Sequence, residues 1–416
     1  MIKRIKLAYR NYKLKFKLRK RKVFFDFNSI EYGAKNILII DSKIPNYNED
    51  SGSRRLYEII KILLDQDFSI FLLADLNEYK YENRYAEEYI EEYKSIGVKV
   101  YQPSLDIKGD LITKERFISE VCPFINYAWL HRPEIFNSYY ITIKSLNKNV
   151  ILIYDMVDFH YLRLIREWKL NNKSKVKLSA DKILNLEIAN CKAADKIIVI
   201  SDNDKLSLEK YYLKPSKMTT IGNLHEFRER PNTFKIFSER KNLLFIGGFS
   251  HQPNVDAVLW LKNEIMPLIW AVDKDIKIDI IGSNIPKKIL SLKTENFNVI
   301  GFVEDLSVYF NSAKIFIAPL KYGAGIKGKI GQSFEFSLPV ITTDIGAEGF
   351  DLSPFSEEMI ANTSELLASK ILKLYNDQDL WRAISNRSEQ FITPFTKQHI
   401  ENQLKKVFNL KKSHYN

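Results

Sequence analysis

Residues 321–349, KYGAGIKGKIGQSFEFSLPVITTDIGAEG, begin with a segment between two apolar runs in which Gly323, Gly325 and Gly328 are interleaved with Lys327 and Lys329. The runs at 313–320 and 339–343 have the length and composition of buried strands. A glycine-rich turn that opens a helix after a parallel strand is an anion site, because free backbone amides and the helix dipole converge there. The stretch therefore predicts an α/β domain that binds a phosphorylated ligand, in the first place a nucleotide.

Similar apolar runs recur along the whole chain, with helical segments between them. This pattern predicts parallel sheets covered by helices on both faces. We expect two doubly wound, Rossmann-like domains at 33–225 and 240–395, joined by the polar segment 223–242 and facing a cleft. A C-terminal helix within 396–416 is expected to return to the first domain. The predicted strands are 36–41, 68–74, 98–101, 124–130, 150–154, 196–201, 218–221, 243–247, 276–281, 299–302, 314–319, 340–343 and 359–361.

The composition of the 416 residues, 45% hydrophobic and 27% charged, is that of an ordinary soluble globular protein. The cysteines Cys122 and Cys191 lack disulfide or metal spacing and are expected as core thiols. The DxD patterns at 202–204 and 273–275 are interpreted as surface or capping acids, so no metal is predicted. No apolar run reaches the length of a transmembrane helix.

The net charge of +12 is concentrated at the N-terminus. Residues 1–22 carry eleven Lys or Arg and no acid, whereas the other residues are close to neutral. Apolar residues three and four apart predict one helical stripe in this tail, at Ile2, Ile5, Tyr9, Tyr12 and Phe16. A basic amphipathic segment favours an anionic membrane surface; a solvated arm and a nucleic-acid contact compete with it. Because the body is neutral, no nucleic-acid partner is predicted.

The glycines at 323–328 also fit the dinucleotide fingerprint GxGxxG, with Asp344 about twenty residues further on. That fingerprint normally occupies the first βα turn of its domain, whereas this one follows several strands. Lysine inside the motif is also unusual, since backbone amides hold the pyrophosphate. The pattern keeps an NAD-dependent dehydrogenase as an alternative.

Several segments resemble the family 4 retaining glycosyltransferases, which have the GT-B fold. Residues 242–257, NLLFIGGFSHQPNVDA, resemble the first βα unit of their C-terminal domain, and 299–306, VIGFVEDL, resemble their base-binding turn. Residues 194–201 resemble a late strand of their N-terminal domain, and residues 36–41 followed by 50–53 resemble its opening strand and loop. The resemblance spans about 35–395 and is most specific at 321–349. It implies transfer of a sugar from a nucleotide diphosphate sugar to a glycan hydroxyl with retention, without cofactor or metal.

The resemblance also implies where the donor binds. Relatives carry two glutamates eight positions apart, which contact the sugar and the ribose; here Ala324 and Gln332 stand at these places. Lys327 and Lys329 are expected to neutralise the departing diphosphate. Glu335 lies off this register and is expected on the helix surface. The predicted donor-binding residues are Gly247, Gly248, Val303, Gly323, Ala324, Gly325, Ile326, Gln332, Gly52 and Ser53.

In the first domain, Asp158 and His160 follow a predicted strand and should face the cleft. They are expected to contact the transferred sugar or to steer the acceptor. Bacterial surface polysaccharide or glycoconjugate synthesis, with a lipid-linked glycan acceptor at the inner face of the cytoplasmic membrane, is the predicted setting. A nucleotide-sugar epimerase of the same fold and a degenerate nucleotide-sugar-binding scaffold remain alternatives.

Overall fold

The computed structural model describes residues 2–48, 50–82, 84–227 and 235–410. The middle of the predicted linker, residues 228–234 with Pro231, lies outside the described residues, as do residues 411–416. The side chains of residues 2–5 and 82–86 also lie outside the described set. The structural statements below refer to the described residues.

Helices separate nearly all of the strands. They are α1 (Ile2–Arg21), α2 (Ser51–Leu64), α3 (Arg84–Ser95), α4 (Lys114–Val121), α5 (Pro133–Leu146), α6 (His160–Asn171), α7 (Ser174–Ala193), α8 (Asp202–Glu209), α9 (Gln252–Trp260), α10 (Met266–Val272), α11 (Lys287–Leu290), α12 (Ser307–Ser312), α13 (Gly328–Glu335), α14 (Asp344–Ala347), α15 (Ser356–Met359), α16 (Ser364–Asn376), α17 (Gln378–Asn386), α18 (Ser388–Ile392) and α19 (Lys397–Val407).

The strands are short and rich in β-branched residues. They are β1 (Lys35–Asp41), β2 (Phe68–Ala74), β3 (Lys99–Val100), β4 (Ser104–Leu105), β5 (Leu111–Ile112), β6 (Tyr127–His131), β7 (Ile151–Asp155), β8 (Lys196–Val199), β9 (Met218–Thr220), β10 (Lys241–Ile246), β11 (Ile278–Ile281), β12 (Phe297–Gly301), β13 (Ala313–Ala318) and β14 (Val340–Thr342).

Two parallel sheets organise the chain, which confirms the predicted fold class. The first has the order β3-β2-β1-β6-β7-β8-β9 and the second the order β12-β11-β10-β13-β14. The strand order reverses between β1 and β6 in the first sheet and between β10 and β13 in the second. Ligands of open α/β sheets bind at the carboxyl ends of the strands beside such reversals. The fold therefore positions a ligand site where these two edges face each other.

Each sheet lies in its own hydrophobic core. The last helix, α19, is an exception to the chain order, because it packs on the first core although it follows the second domain. Ile400, Leu404 and Val407 are buried there, and Lys397 pairs with Asp65. This helix ties the two domains together at the end of the chain.

Two local predictions differ from the structure. Residues 359–361 are not a strand: Met359 ends α15, and a single bridge joins Ile360 to Thr342. The stretch is apolar because it covers the sheet edge, and burial alone does not distinguish a strand from a helix end. The antiparallel pair β4–β5 was not predicted, since two residues per strand give no periodicity.

The basic tail forms the continuous helix α1, which packs on the first domain. Leu14 and Leu18 are buried against Leu105 in a small separate core. Lys15 forms an ion pair with Asp110 at 2.7 Å. None of the described helices combines the length and hydrophobicity needed to cross a bilayer.

Candidate active site

A pocket of about 330 Å³ opens between the two domains. It lies beside the start of α2 in the first domain and the start of α13 in the second. The residues that line it include Asp50, Ser51, Arg54, Arg55, Asn223 and His225 on one side and Glu304, Asp305, Leu306, Ser307, Gly328, Lys329 and Gln332 on the other.

Two helix N-termini meet at this pocket. Ser51 is the first residue of α2 and Gly328 the first of α13. A Cβ atom on Gly328 would lie 2.3 Å from the Ser51 Oγ, so glycine is required for this approach. Each helix end presents free amides and the positive end of a dipole. Elements from both domains therefore meet at one position, where the start of α2 is capped by Asp50 and the start of α13 has no side-chain cap.

Lys329 adds a cation beside these helix ends. Its Nζ donates to the Gln332 Oε1 at 2.8 Å, so two residues singled out in the sequence lie together. Burial, followed by the positive charge of Arg54, lowers the pKa of Lys329 to about 8. The nearby carboxylates of Glu335 and Asp50 offset this effect only in part, so a phosphate would further stabilise the charged lysine.

Lys327 instead holds the glycine loop in shape. Its Nζ donates to the carbonyl oxygens of Gly325 at 2.6 Å and Ala324 at 3.4 Å, and lies 3.5 Å from Glu348. Burial lowers the pKa of Lys327, and the Glu348 carboxylate opposes this effect. Gly325 has φ +68°, a conformation that favours glycine. Lys327 thus stabilises the turn from the inside.

Two residues of the first domain, Arg166 and Asp204, form hydrogen bonds with the glycine loop. Arg166 of α6 donates from both terminal nitrogens to the Glu348 carboxylate and from Nη1 to the Gly323 carbonyl oxygen at 2.7 Å. The Gly325 amide donates to the Asp204 carboxylate at 3.4 Å. The shape of the glycine loop therefore depends on how the domains sit together.

Asp204 is more than the surface or capping acid that the sequence suggested. It is buried, and its carboxylate also accepts a hydrogen bond from the Phe159 amide. Burial and the nearby Asp158 raise the pKa of Asp204 to about 6. The interpretation failed because Asp204 lies in the first turn of α8, where acids usually face solvent, and the second domain covers it.

His160 and Asp158 lie together beside the glycine loop. The His160 Nδ1 is 3.3 Å from carboxylate oxygens of both Asp158 and Glu187. Burial lowers the pKa of His160, but these carboxylates outweigh that effect and raise the pKa to about 8. A Cβ atom on Gly325 would lie 3.2 Å from the Asp158 Cβ. A protonated imidazole is thus held close to the loop.

Gly247 and Gly248 follow β10 in the second domain. A Cβ on Gly247 would lie 2.8 Å from the Asn254 Cγ, so this glycine serves packing within its own domain. Gly248 is more open, and Asn254 donates to its carbonyl oxygen. His251 ends this turn beside Asp158 of the first domain; burial of its ring and the charge of Arg163 lower its pKa.

The remaining predicted donor residues divide between the cleft and the interior. Ser53 is fully buried, and its hydroxyl donates to the Asp50 carboxylate, so it helps cap α2. Gly52 lies next to it, and a Cβ atom there would lie 3.4 Å from the Asp50 Oδ1. Val303 packs against the second core, while the residues just after it line the pocket. Ile326 packs against Gly222 and Gly349, which anchors the loop.

Glu335 corrects another prediction. It is buried rather than on the helix surface, and its carboxylate lies 2.6 Å from the Nδ1 of His225. A Cβ on Gly331 would lie 2.2 Å from the His225 Nε2, so the linker and α13 are in close contact. The contact was not predicted because the two residues are 110 positions apart and belong to different parts of the fold.

A buried charge network under the cleft was also missed. Asp155 accepts hydrogen bonds from Arg55 at 2.8 Å and Trp129 at 2.9 Å, and Asp41 lies 3.0 Å from both His131 and Arg132. Burial raises the pKa of Asp41, but His131 and Arg132 outweigh it and hold that pKa below its usual range. Polar residues at the ends of three adjacent strands, β1, β6 and β7, were the available signal.

Asn223 is another pocket residue that sequence reasoning missed. Its side chain is buried, lines the pocket, and has neither its Oδ1 nor its Nδ2 paired with any described residue. Buried amides normally have partners. Its position makes Asn223 available to a ligand. Within the same described residues, no group of three or more His, Cys, Asp or Glu is placed to hold a metal ion.

Parts of the chain are similar to known proteins. Residues 240–377 match the family described as "Glycosyl transferases group 1". A Klebsiella pneumoniae protein, "Uncharacterized 44.6 kDa protein in cps region", is 25% identical over 257 residues; the match covers 60% of this chain and 58% of that protein's length. The chain thus spans less than two thirds of this curated relative.

Solved structures show the same two-domain fold. TarM has a TM-score of 0.67 at 12% identity, and Anabaena Alr3699/HepE in complex with UDP-glucose has a TM-score of 0.65 at 11% identity. Each comparison covers 90% of this chain and 99% of the other. The chain therefore has the GT-B fold. Its resemblance to GT-B glycosyltransferases is confirmed, with the family match itself lying in the second domain.

Proposed function

We propose that the protein transfers a sugar from a nucleotide diphosphate sugar to a glycan hydroxyl with retention of configuration. The meeting of two helix N-termini from different domains with Lys329 carries the proposal. Such a position suits a diphosphate that bridges the cleft, because amides and cations then surround its oxygens. The similar protein HepE was solved with UDP-glucose, which supports a nucleotide sugar as the ligand.

The proposed reaction breaks the bond between the anomeric carbon and the diphosphate oxygen. Lys329 and the first amides of α13 stabilise the negative charge that develops on the leaving diphosphate. The acceptor hydroxyl attacks from the face that this group leaves and passes its proton to a diphosphate oxygen. Configuration is then retained without a protein base, without a metal ion and without a cofactor.

The other cleft residues take supporting roles in this proposal. Lys327 holds the glycine loop, whose backbone atoms would contact the sugar in place of the side chain missing at Ala324. The protonated His160 adds positive charge near the sugar and the leaving group. Gln332 accepts from Lys329 and is the candidate ribose contact.

We also propose the setting of the reaction. The acceptor would be a lipid-linked or other glycan in bacterial surface polysaccharide or glycoconjugate synthesis, which the "cps region" of the Klebsiella relative supports. The protein would work in the cytoplasm at the inner face of the membrane. There the eleven cations of residues 1–22 would meet anionic lipid.

The first test is thermal unfolding of the whole chain with UDP, GDP, dTDP, CMP or NAD. A ligand at 100 times its dissociation constant stabilises the fold by about 2.7 kcal/mol, which is visible as a melting shift. A shift with one nucleoside diphosphate is expected and names the base of the donor. A shift with NAD alone would favour the dehydrogenase alternative.

Turnover is tested next with the nucleotide sugar that the melting experiment selects. Transfer to a glycan acceptor, with the product's anomeric configuration read by NMR, should show retention. An inverted product would overturn the mechanism. Interconversion of the donor sugar without acceptor would indicate an epimerase, and tight binding without turnover on any acceptor would indicate a scaffold.

A further inference from the structure

Helix α1 has two apolar faces. With 3.6 residues per turn, Leu14 and Leu18 lie on the side of the helix roughly opposite to Tyr9, Tyr12 and Phe16. The two leucines are buried against the first domain. The three aromatic side chains are 58%, 71% and 67% exposed in the same order. The domain thus covers one face of α1 and leaves the aromatic face open.

The docking of α1 fixes which way the open face points. Leu14 and Leu18 share a core with Leu105, and Lys15 pairs with Asp110. The Arg10 guanidinium lies 4.5 Å from the centroid of the Tyr79 ring. Contacts at both halves of the helix hold it against the domain, so the aromatic residues form a surface of the folded protein.

Lysines flank the aromatic face. Lys6, Lys13 and Lys20 are exposed, and their spacing of seven places them in one row along the edge of this face. The Lys13 Nζ lies 4.6 Å from the centroid of the Tyr9 ring. Residues 1–22 contain no acid that could neutralise these cations. Aromatic rings beside a row of lysines are complementary to the interface of an anionic bilayer.

We infer that the outward face of α1, formed by Tyr9, Tyr12 and Phe16, inserts into the headgroup region of an anionic membrane while Leu14 and Leu18 keep the helix docked. The aromatic rings enter the interface, and the lysine row contacts lipid phosphates. The inference deepens the proposed membrane location and rests on it, but it does not depend on sugar transfer.

Helix α1 lies near the edge of the first domain that carries the candidate site, which bears on how a lipid-linked acceptor would reach it. The helix contacts β4 and the turn at Glu78–Glu82. These segments follow the carboxyl ends of β3 and β2, and the candidate site lies at the carboxyl edge of the same sheet. A bilayer held by α1 would therefore present lipid-borne glycans to the edge of the domain that carries the cleft.

The test is vesicle binding by the full chain and a triple variant, Tyr9→Ala, Tyr12→Ala and Phe16→Ala. Alanine removes the rings and has the highest helix propensity, so α1 should persist. The matched control carries Ile141→Ala, Leu213→Ala and Val272→Ala, which remove exposed apolar side chains from other surfaces. Each protein is sedimented with phosphatidylcholine vesicles, with and without phosphatidylglycerol.

Wild type and control should bind the phosphatidylglycerol vesicles, and the aromatic variant should bind them roughly tenfold or more weakly. All three should bind pure phosphatidylcholine vesicles poorly. Equal binding by the aromatic variant and wild type would overturn the inference, as would equal binding to both kinds of vesicle. The inference would also be wrong if wild type bound no vesicles but formed a dimer, and the aromatic variant were monomeric.

A nucleotide-induced melting shift is measured on the same three proteins. It should be equal in all of them, because α1 does not line the pocket. Loss of vesicle binding with an unchanged nucleotide shift is the expected pattern. A protein that binds vesicles through these residues but no nucleotide would contradict the proposed function and leave the membrane inference standing.

Discussion

The charge on Lys329 should cost the free protein stability, and this cost can be measured. Burial and Arg54 lower its pKa from 10.5 to about 8. At about 1.4 kcal/mol for each pH unit between these values, the charged form is disfavoured by about 3 kcal/mol. Lys329→Met keeps a similar length without the charge but loses the hydrogen bond to Gln332, worth about 1 kcal/mol.

At pH 7 and without ligand, the unfolding free energy of Lys329→Met should therefore exceed that of wild type by about 2 kcal/mol. Each kcal/mol raises the Tm by roughly 2–4 °C. The variant's affinity for the nucleoside diphosphate should fall about tenfold to a hundredfold, because a hydrogen bond to a charged group is lost. Differential scanning calorimetry and titration calorimetry measure the two effects. Lys293→Met, which removes an exposed lysine outside the cleft, should change neither.

The same lysine sets a pH dependence with a defined sign. Its folded pKa lies below its unfolded pKa, so the unfolded chain holds the proton between pH 8 and 10.5, and the free protein gains stability as pH rises there. Diphosphate binding needs the proton, so affinity should be constant below pH 8 and fall above it. Lys329→Arg should bind with a smaller fall, because above pH 8 His160, whose pKa is also about 8, then still loses its charge. A Lys329→Met protein that is less stable than wild type and keeps the full nucleotide shift would refute the reasoning.

Three further substitutions test neighbouring contacts. Gly331→Ala places a Cβ 2.2 Å from the His225 Nε2 and should cost about 1–3 kcal/mol of unfolding free energy, measured with urea. Arg166→Met removes the grip of the first domain on the glycine loop; kcat/KM should fall roughly tenfold or more with Tm almost unchanged. Gln332→Glu puts a carboxylate beside Lys329 and should move the fall in nucleotide affinity to a pH above 8.

The sheets could be predicted from the sequence because parallel strands bury both faces. The run ILII within β1 and the run IFIA within β13 are continuous apolar stretches, and such runs recur with the spacing of βα units. The glycine loop was found for a related reason, since its composition follows from local backbone requirements such as the positive φ of Gly325. Local rules suffice where the cause is local.

Contacts between the domains could not be predicted in the same way. Arg166 and Glu348 are 182 positions apart, and nothing near either residue indicates the partner. Glu335 was assigned to the helix surface because it lies off the register of the two family glutamates; the linker residue His225 contacts it in the folded protein. Such residues require the relative placement of two folded units, which no sequence periodicity encodes.

For helix α1 the sequence periodicity predicted one apolar face correctly but missed the second. The three- and four-residue steps marked the stripe of Tyr9, Tyr12 and Phe16, but Leu14 and Leu18 follow the same spacing on the other side. A helix with a single apolar face could bury that face against the domain or against a membrane, but not against both. Two opposite stripes allow the helix to dock and to present the other face at once.

At three places in the cleft a cationic side chain lies next to a carboxylate or amide oxygen of the protein. Lys327 lies near Glu348, Lys329 donates to Gln332, and His160 lies between carboxylates. These partners hold the three cationic side chains in place before an anionic ligand binds. Lys329 has a neutral amide as its hydrogen-bond partner, and the carboxylates of Glu335 and Asp50 do not fully offset its burial, so a diphosphate would stabilise its charged form. For that reason its substitution should separate stability from ligand binding most clearly.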